Sequence, residues 1–336
     1  MKLYSALLLP LLCLSFDVPA FAQQPTQHAF IWSQKSSMKD LGSLGASSYA
    51  VAINASGQVA GYFVNGLGNP HAFRRTTSGG MKDLGTLGGD FSFASGIDNS
   101  GVVVGSASNA SGTVHAVLWT AKGVIKDLGT LGGSSSEGSG INQKADIVGS
   151  SSTQGDTATH AFIKIGSRRM TDLGTLGGAS SVASAVNFYR AVAGNSITGN
   201  GDDHAFLWTK AGGMQDLGTL GQLSDAIGIN DLEHVVGYSF LTGGSPFHAF
   251  LWTKSGGMQD LGTLGDFDAN SDSFGINRSD EIAGYSYTDH TNAVCHAVVW
   301  RGTNHQISDL GTLGGKNSTS SAINASGTVV GWSDIN

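Results

Sequence analysis

Apolar and polar positions alternate along this chain in short runs, and no stretch settles into a helical period. "HAFLWT" at 248–253 and "VVGYS" at 235–239 are aromatic and β-branched, and clusters of Gly, Ser, Asn and Asp separate such runs. This pattern predicts short strands joined by turns. The runs also recur. An "HA(F/V)" word begins at His28, His71, His115, His160, His204, His248 and His296, about 44 residues apart. A "DLG(T/S)LG" word follows each, starting at Asp40, Asp83, Asp127, Asp172, Asp216, Asp260 and Asp309. An apolar-polar run then ends at Asn54, Asp98, Asn142, Asn187, Asn230, Asn277 and Asn324. A "VVG"-like word closes the unit at Gly61, Gly105, Gly149, Gly194, Gly237, Gly284 and Gly331.

Each unit therefore predicts four strands: A ("SxAxGIN"), B ("VVGxS"), C ("HAFLW") and D ("MQDLG"). Four short strands in about 44 residues is the size of a propeller blade. The predicted fold class is all-β: a seven-bladed β-propeller with four-stranded blades, filling residues 23–336 as a single domain. The small residues of strand A suit a crowded axis, which makes A the innermost strand. Six blades run contiguously from about 46 to about 313. The seventh is composite, pairing N-terminal strands at about 27–43 with C-terminal strands at about 318–333, so the ring has no open edge. A stacked β-solenoid is the alternative, and seven near-equal units without atypical ends argue against it.

Spacing separates two faces. The A–B and C–D connections keep nearly constant length, and the B–C and D–A connections vary. Binding residues concentrate on variable loops carried by a rigid scaffold, so a ligand site is expected on the B–C/D–A face.

The words "HAFxW", "GGMxDLGTLGG", "GIN" and "VVG" at fixed offsets resemble the bacterial extracellular HAF-repeat family. The resemblance covers residues 23–336 and implies an exported repeat protein, with no particular activity attached. Arg75 and Lys164 depart from it where other units carry Trp, and "NFYR" at 187–190 replaces the usual turn.

The N-terminus carries Lys2, an apolar run from Leu7 to Leu14, and "PAFA" ending at Ala22. This reads as a secretory signal peptide over 1–22, which places the mature chain in the periplasm or outside the cell. The apolar run is too short to span a membrane, and no longer one follows, so membrane insertion is not expected. Cys13 lies in that run without the small residues before it that acylation needs. Cys295 then stands alone in the mature chain and reads as a buried strand cysteine. The formal charge of −7, with only 13% charged residues, argues against a nucleic-acid partner.

Seven His and seven Asp invite a metal or acid–base reading. Copies spread around a ring cannot meet at one ion. The expected register puts His248 and Asp260 on opposite faces of their hairpin, so each His should face the Asp of the next blade. The Trp set (Trp32, Trp119, Trp208, Trp252, Trp300) reads as packing between blades. Asn first and Gly fourth, as in Asn54-Ala55-Ser56-Gly57, is a type I turn signature. The repeated words are framework.

Function then lies in what differs. The variable face is expected to carry Asp90, Glu137, Asp156, Asp202, Asp203, Asp225, Asp266, Asp268, Asp272 and Asp289 against one base, Lys316. Such a face attracts cations or basic partners. Asp156, Asp202, Asp203, Asp225, Asp289 and His290 are the candidate ligand-binding residues. Asp266, Asp268, Asn270 and Asp272 form a D-x-D-x-N-x-D run of alternating oxygen donors, a candidate Ca²⁺ loop that lacks the Gly and Glu of an EF-hand. No residue is assigned a catalytic role. The reading is a non-catalytic scaffold for a glycan, a surface polymer or a protein partner, with Ca²⁺ as the candidate cofactor. The alternative is an extracellular hydrolase or lyase at the axial mouth, which would need a tight pair of carboxylates there.

Overall fold

The first described strand, β1 (Gln27–Ser33), finds its long partner about 300 residues away. In this computed structural model, which describes residues 26–336, β1 pairs antiparallel with β28 (Val329–Ile335), from Gln27↔Asp334 to Trp32↔Val329. Its other edge pairs with β2 (Ser36–Asp40), and β28 pairs with β27 (Gly314–Ile323). The expected signal peptide over 1–22 lies outside the described residues.

The intervening chain repeats this four-stranded meander. β3 (Ser48–Ile53), β7 (Gly88–Ile97), β11 (Gly132–Ile141), β15 (Gly177–Val186), β19 (Gly221–Ile229) and β23 (Ser271–Ile276) each begin a unit. Three more antiparallel strands follow in sequence order. Five sheets have four strands, and the β11 and β15 units join into a longer sheet through one parallel bridge, Thr159↔Ser180. The described residues form strands and turns, with a single 3-10 turn at Gln154–Asp156 and no α-helix.

All seven strands of the A type line one central cavity of about 280 Å³. Strand A is therefore innermost, as its small residues predict. The closing glycine of "VVG" allows this packing. A Cβ at any of the seven would sit 1.9–2.0 Å from a carbonyl oxygen of its own strand A, so only Gly fits.

Polar groups of the repeat are satisfied within the framework. The first Ser of strand A accepts the amide of the "HA" alanine in the preceding unit, from Ala29–Ser48 to Ala297–Ser318, at 2.9–3.0 Å in all seven cases. In six of them the hydroxyl also donates to the "DLG" glycine carbonyl, at 2.6–2.8 Å. Each of these six hydroxyls thus fastens its unit to the preceding one at two points.

The His–Asp expectation needs correcting. Every His pairs with the Asp of its own hairpin, Nδ1 to carboxylate at 2.7–2.9 Å, and none reaches the next unit's Asp. Register explains this: Phe250 stands opposite Asp260, so Asp260 shares a face with Phe250 and with His248 two residues earlier. The other carboxylate oxygen accepts the glycine amide two residues on, as in Gly262 to Asp260 at 2.8 Å. Trp packing follows expectation. Trp119 is fully buried among Ala60, Ala72 and Val103, and Trp300 Nε1 donates to Leu261 O of the preceding unit at 2.9 Å.

The Asn positions close a cycle. Each Asn Oδ1 holds its own A–B turn, as Asn54 accepts from the amides of Ser56 and Gln58. Its Nδ2 donates to the backbone carbonyl of the equivalent residue in the next unit. Links run Asn54→Asp98, Asn142→Asn187, Asn187→Asn230, Asn230→Asn277, Asn277→Asn324 and Asn324→Asn54, at 2.9–3.2 Å. The step from Asp98 to Asn142 lacks this link, because a carboxylate has no N–H to donate.

Candidate functional site in the central cavity

The word "S-x-small-y-small-(I/V)-N" of strand A sets the cavity wall. Its first and third residues face the preceding unit, as Ser271 Oγ on Gly262 O and Ser273 Oγ on Gly237 O show. A bulge falls at y in every unit. The y residues and the aliphatic residue before Asn line the cavity. At its Asn end the cavity widens into a mouth of about 360 Å³ framed by the belt residues and by Phe188 and Arg278.

The x positions form the tier at the other end, and here the units differ. They read Tyr49, Phe93, Glu137, Val182, Asp225, Asp272 and Thr319, paired across to Tyr62, Ser106, Ser150, Asn195, Tyr238, Tyr285 and Trp332. One arc is aromatic: Tyr49 stacks on Tyr62 at 4.6 Å, Tyr62 meets Phe93 at 5.1 Å, and Tyr49 meets Trp332 at 6.1 Å. The adjoining arc is acidic. Asp225 and Asp272 occupy adjacent units beside Tyr238 and Tyr285, and Asp203 approaches Asp225 from the neighbouring strand C.

Burial dominates the electrostatics of this arc. It pushes the Asp225 carboxyl up to about 8, with help from the Asp203 charge. Burial, then the Asp225 charge, raises Asp272 well above the usual carboxylate range. Burial also raises Asp203, although Asn195 Nδ2 donates to both its oxygens at 3.0 and 2.9 Å. Around the ring, burial alone lifts Glu137 to about 7. Asp225 Oδ1 is shielded from solvent without a hydrogen-bond partner, and so are Ser184 Oγ and Ser321 Oγ at y positions.

The structure gathers Asp203, Asp225 and Asp272 from the candidate residues, and it moves the last two, with Glu137, from loop to strand. All three are the second letter of the "SxAxGIN" word and so lie inside strand A, in β19, β11 and β23. The remaining candidates lie on the outer rim. Asp156 caps Ser134 through its amide at 2.7 Å, which holds its carboxyl below the usual range. Asp202 is exposed in the β15 unit's B–C connection. Asp289 accepts from the Thr291 hydroxyl and amide, which also lowers it. His290 pairs with Asp266 at 3.0 Å across two connections, not with its neighbour Asp289. This contact places B–C and D–A connections at the same end, as expected.

The D-x-D-x-N-x-D run does not wrap a point. Asp266 turns to His290, Asn270 Oδ1 accepts the Phe247 amide at 3.0 Å, and Asp272 is buried with Oδ1 on the Ser273 amide at 2.7 Å. The run straddles a loop and a strand, and strand alternation sends its side chains apart. Among the described residues no group of three or more His, Cys, Asp or Glu is placed to hold a metal ion. Cys295 is fully buried in a strand of the β23 unit, and no free cysteine occurs among the described residues.

Sequence reasoning missed the aromatic arc, the y-position serines and the Ser staples. The staples stood in the "SxAxGIN" word at constant offset. The arcs had no such signal, because they assemble from non-repeating letters of different units.

No family model matches the chain, and no curated protein does. Solved structures share its architecture. The putative TolB from Agrobacterium tumefaciens aligns with a TM-score of 0.54 over 94% of this chain and 100% of that one, at 10% identity. The β-propeller domain of the Trilobed protease from Pyrococcus furiosus gives 0.53 over 82% of this chain and 88% of that one, at 9% identity. TolB from Acinetobacter baumannii gives 0.50 at 12% identity, covering 69% of this chain and 62% of that one, so the chain spans less than two thirds of it. At such identities the likeness is one of fold: the chain is an all-β repeat protein of the β-propeller type. No helix among the described residues is long and apolar enough to cross a membrane.

Proposed function

We propose that the chain is a seven-bladed propeller of HAF-type repeats, exported from the cell, that acts as a non-catalytic binding scaffold. Its ligand approaches from the B–C/D–A face toward the x tier at the axial mouth. One observation carries the reading. Within strand A the Ser, the small residues and the Asn recur in every unit, with Asp98 as the single variation, while the seven x positions present Tyr, Phe, Glu, Val, Asp, Asp and Thr. Framework needs sameness; a site needs a particular arrangement. The Asn cycle and the β1–β28 pairing support seven blades in a closed ring.

A second reading, hydrolysis, draws support from the neighbouring acids Asp225 and Asp272. Paired-carboxylate catalysis divides labour between a protonated acid and an ionised partner. Here burial pushes Asp203, Asp225 and Asp272 in one direction, toward the protonated form. Binding is therefore favoured. The test is a glycan and surface-polymer array probed with labelled chain, beside an Asp225→Asn/Asp272→Asn double variant and a Phe188→Ala control at the opposite mouth. Retention lost only in the double variant is expected. Retention lost only in Phe188→Ala, or none on any array, overturns the reading, and turnover of an arrayed glycan would restore hydrolysis.

A further inference from the structure

The y positions give the cavity wall two chemistries. Three consecutive inner strands, β7, β11 and β15, present Ser95, Ser139 and Ser184 to it. The next two, β19 and β23, present Ile227 and Phe274, and β27 presents Ser321. Hydroxyls thus adjoin an aliphatic side chain and an aromatic face around one space of about 280 Å³. That volume lies near the lower end of small-molecule sites and suits a single ring.

Two of these hydroxyls are unmet. Ser184 and Ser321 are each only 8% exposed, line the cavity, and have no hydrogen-bond partner at Oγ. The serines that open strand A in the same units, Ser181 and Ser318, bond both ways into the preceding unit. The y hydroxyls add no such framework bond, and in a buried setting their partners have to come from a group inside the cavity. The walls favour an uncharged occupant. Among the described residues that line the cavity there is no Lys, Arg or His to receive an anion. Its carboxyl, Glu137, is lifted by burial to about 7, which leaves a cation little to pair with. Six Ile and Val residues, from Ile53 to Ile323, line both the cavity and the mouth at its Asn end, so a charged group there would lose water against an apolar collar.

We propose that the central cavity binds one neutral polyhydroxylated ring, a free monosaccharide or cyclitol. Its hydroxyls reach Ser184 and Ser321, each able to donate and to accept, and its C–H face lies on Phe274. A few placed polar groups beside an apolar surface are how such a site orients a small ligand. The inference goes beyond the scaffold reading and makes no use of Asp225 or Asp272.

The test is saturation-transfer NMR and calorimetric titration of the mature chain at pH 6 with glucose, galactose, myo-inositol, cellobiose, cyclohexanol and gluconate. At least one single-ring polyol is expected to bind saturably, about tenfold or more tighter than cyclohexanol, gluconate or cellobiose. Ser184→Ala and Ser321→Ala should each weaken that binding about tenfold. Without ligand both should leave Tm unchanged or raised, since a buried hydroxyl that lacks a partner adds no stability. Ser111→Ala, at an exposed rim position, should leave the affinity unchanged. Equal binding of cyclohexanol, tighter binding of gluconate or cellobiose, or polyol binding that survives both cavity substitutions overturns the proposal. A lower Tm in both cavity variants would make the hydroxyls part of the framework and overturns it too. Absence of binding by every polyol does the same; array retention that depends on Asp225 and Asp272 would then leave the scaffold reading intact.

Discussion

The two ends of the axial channel are made from the same seven strands and obey opposite rules. At the A–B end, seven near-identical residues lock each turn, and the six that are Asn hand one hydrogen bond to the next unit. At the other end, five residues upstream on each strand, aromatic, acidic and aliphatic side chains stand in equivalent places. Repetition and variation are thus separated along a strand, not between domains. The lower end varies little because its Asn side chains are bonded both within their own turn and to the next unit. The upper end tolerates variation because the framework bonds made by its Ser neighbours leave the x side chains free to differ.

The sharpest test compares two residues in contact. Gly194 and Val182 belong to one A–B hairpin, the first repeated and the second divergent. Gly194→Ala would bring its Cβ to 2.0 Å from the Val182 carbonyl oxygen. Its cost should exceed about 4 kcal/mol in urea unfolding, enough to threaten the fold. Val182→Ala removes two methyls from a half-buried position and should cost about 1 kcal/mol. Similar losses for both would erase the distinction between the ends.

Next comes the belt. Asn324→Ala strips the Ser326 and Thr328 amides of their acceptor and removes the link to Asn54, where chain ends meet. Leaving such groups unmet should cost about 2–3 kcal/mol, read from urea midpoints.

The acidic arc predicts a pH-dependent effect of opposite sign. Asp225 titrates at about 8 when folded and near 4 when unfolded. Between those values the native chain holds a proton that the unfolded chain has released. Stability therefore falls as pH rises from about 4 to about 8. Asp225→Asn removes that fall, so its gain in Tm should be larger at pH 8 than at pH 5. An equal change at both pH values would show that the carboxyl is not buried as described.

The smallest effect is the most specific. Asp98→Asn supplies the missing donor toward Asn142 and should add about 1 kcal/mol, whereas Asn187→Asp deletes a donor and should lose a similar amount. Matching signs would mean that the cycle contributes nothing to holding the blades together.

Much of the framework was legible in the chain, because repetition turns a local pattern into a measured one. Seven copies fixed the strand order, the inner strand and the two faces. The His–Asp partner was misplaced by a one-residue slip in hairpin register, which moves a side chain to the other face. The acid cluster was half visible. Asp203 precedes a "HAF" word, while Asp225 and Asp272 share the x offset, and nothing along the chain says that strands C and A of neighbouring blades bring them together. The D-x-D-x-N-x-D run misled because its spacing suits a loop, and its last member lies inside a strand.

The pairing of the first strand with the last also sets an order of events. Six four-stranded units, from β3 to β26, can form as the chain is made, each from consecutive sequence. The hairpin of β1 and β2 has to wait, its long edge open, until the final residues arrive. Loss of Val329–Ile335 would leave β1 with β2 as its one antiparallel partner and free the edge of β27.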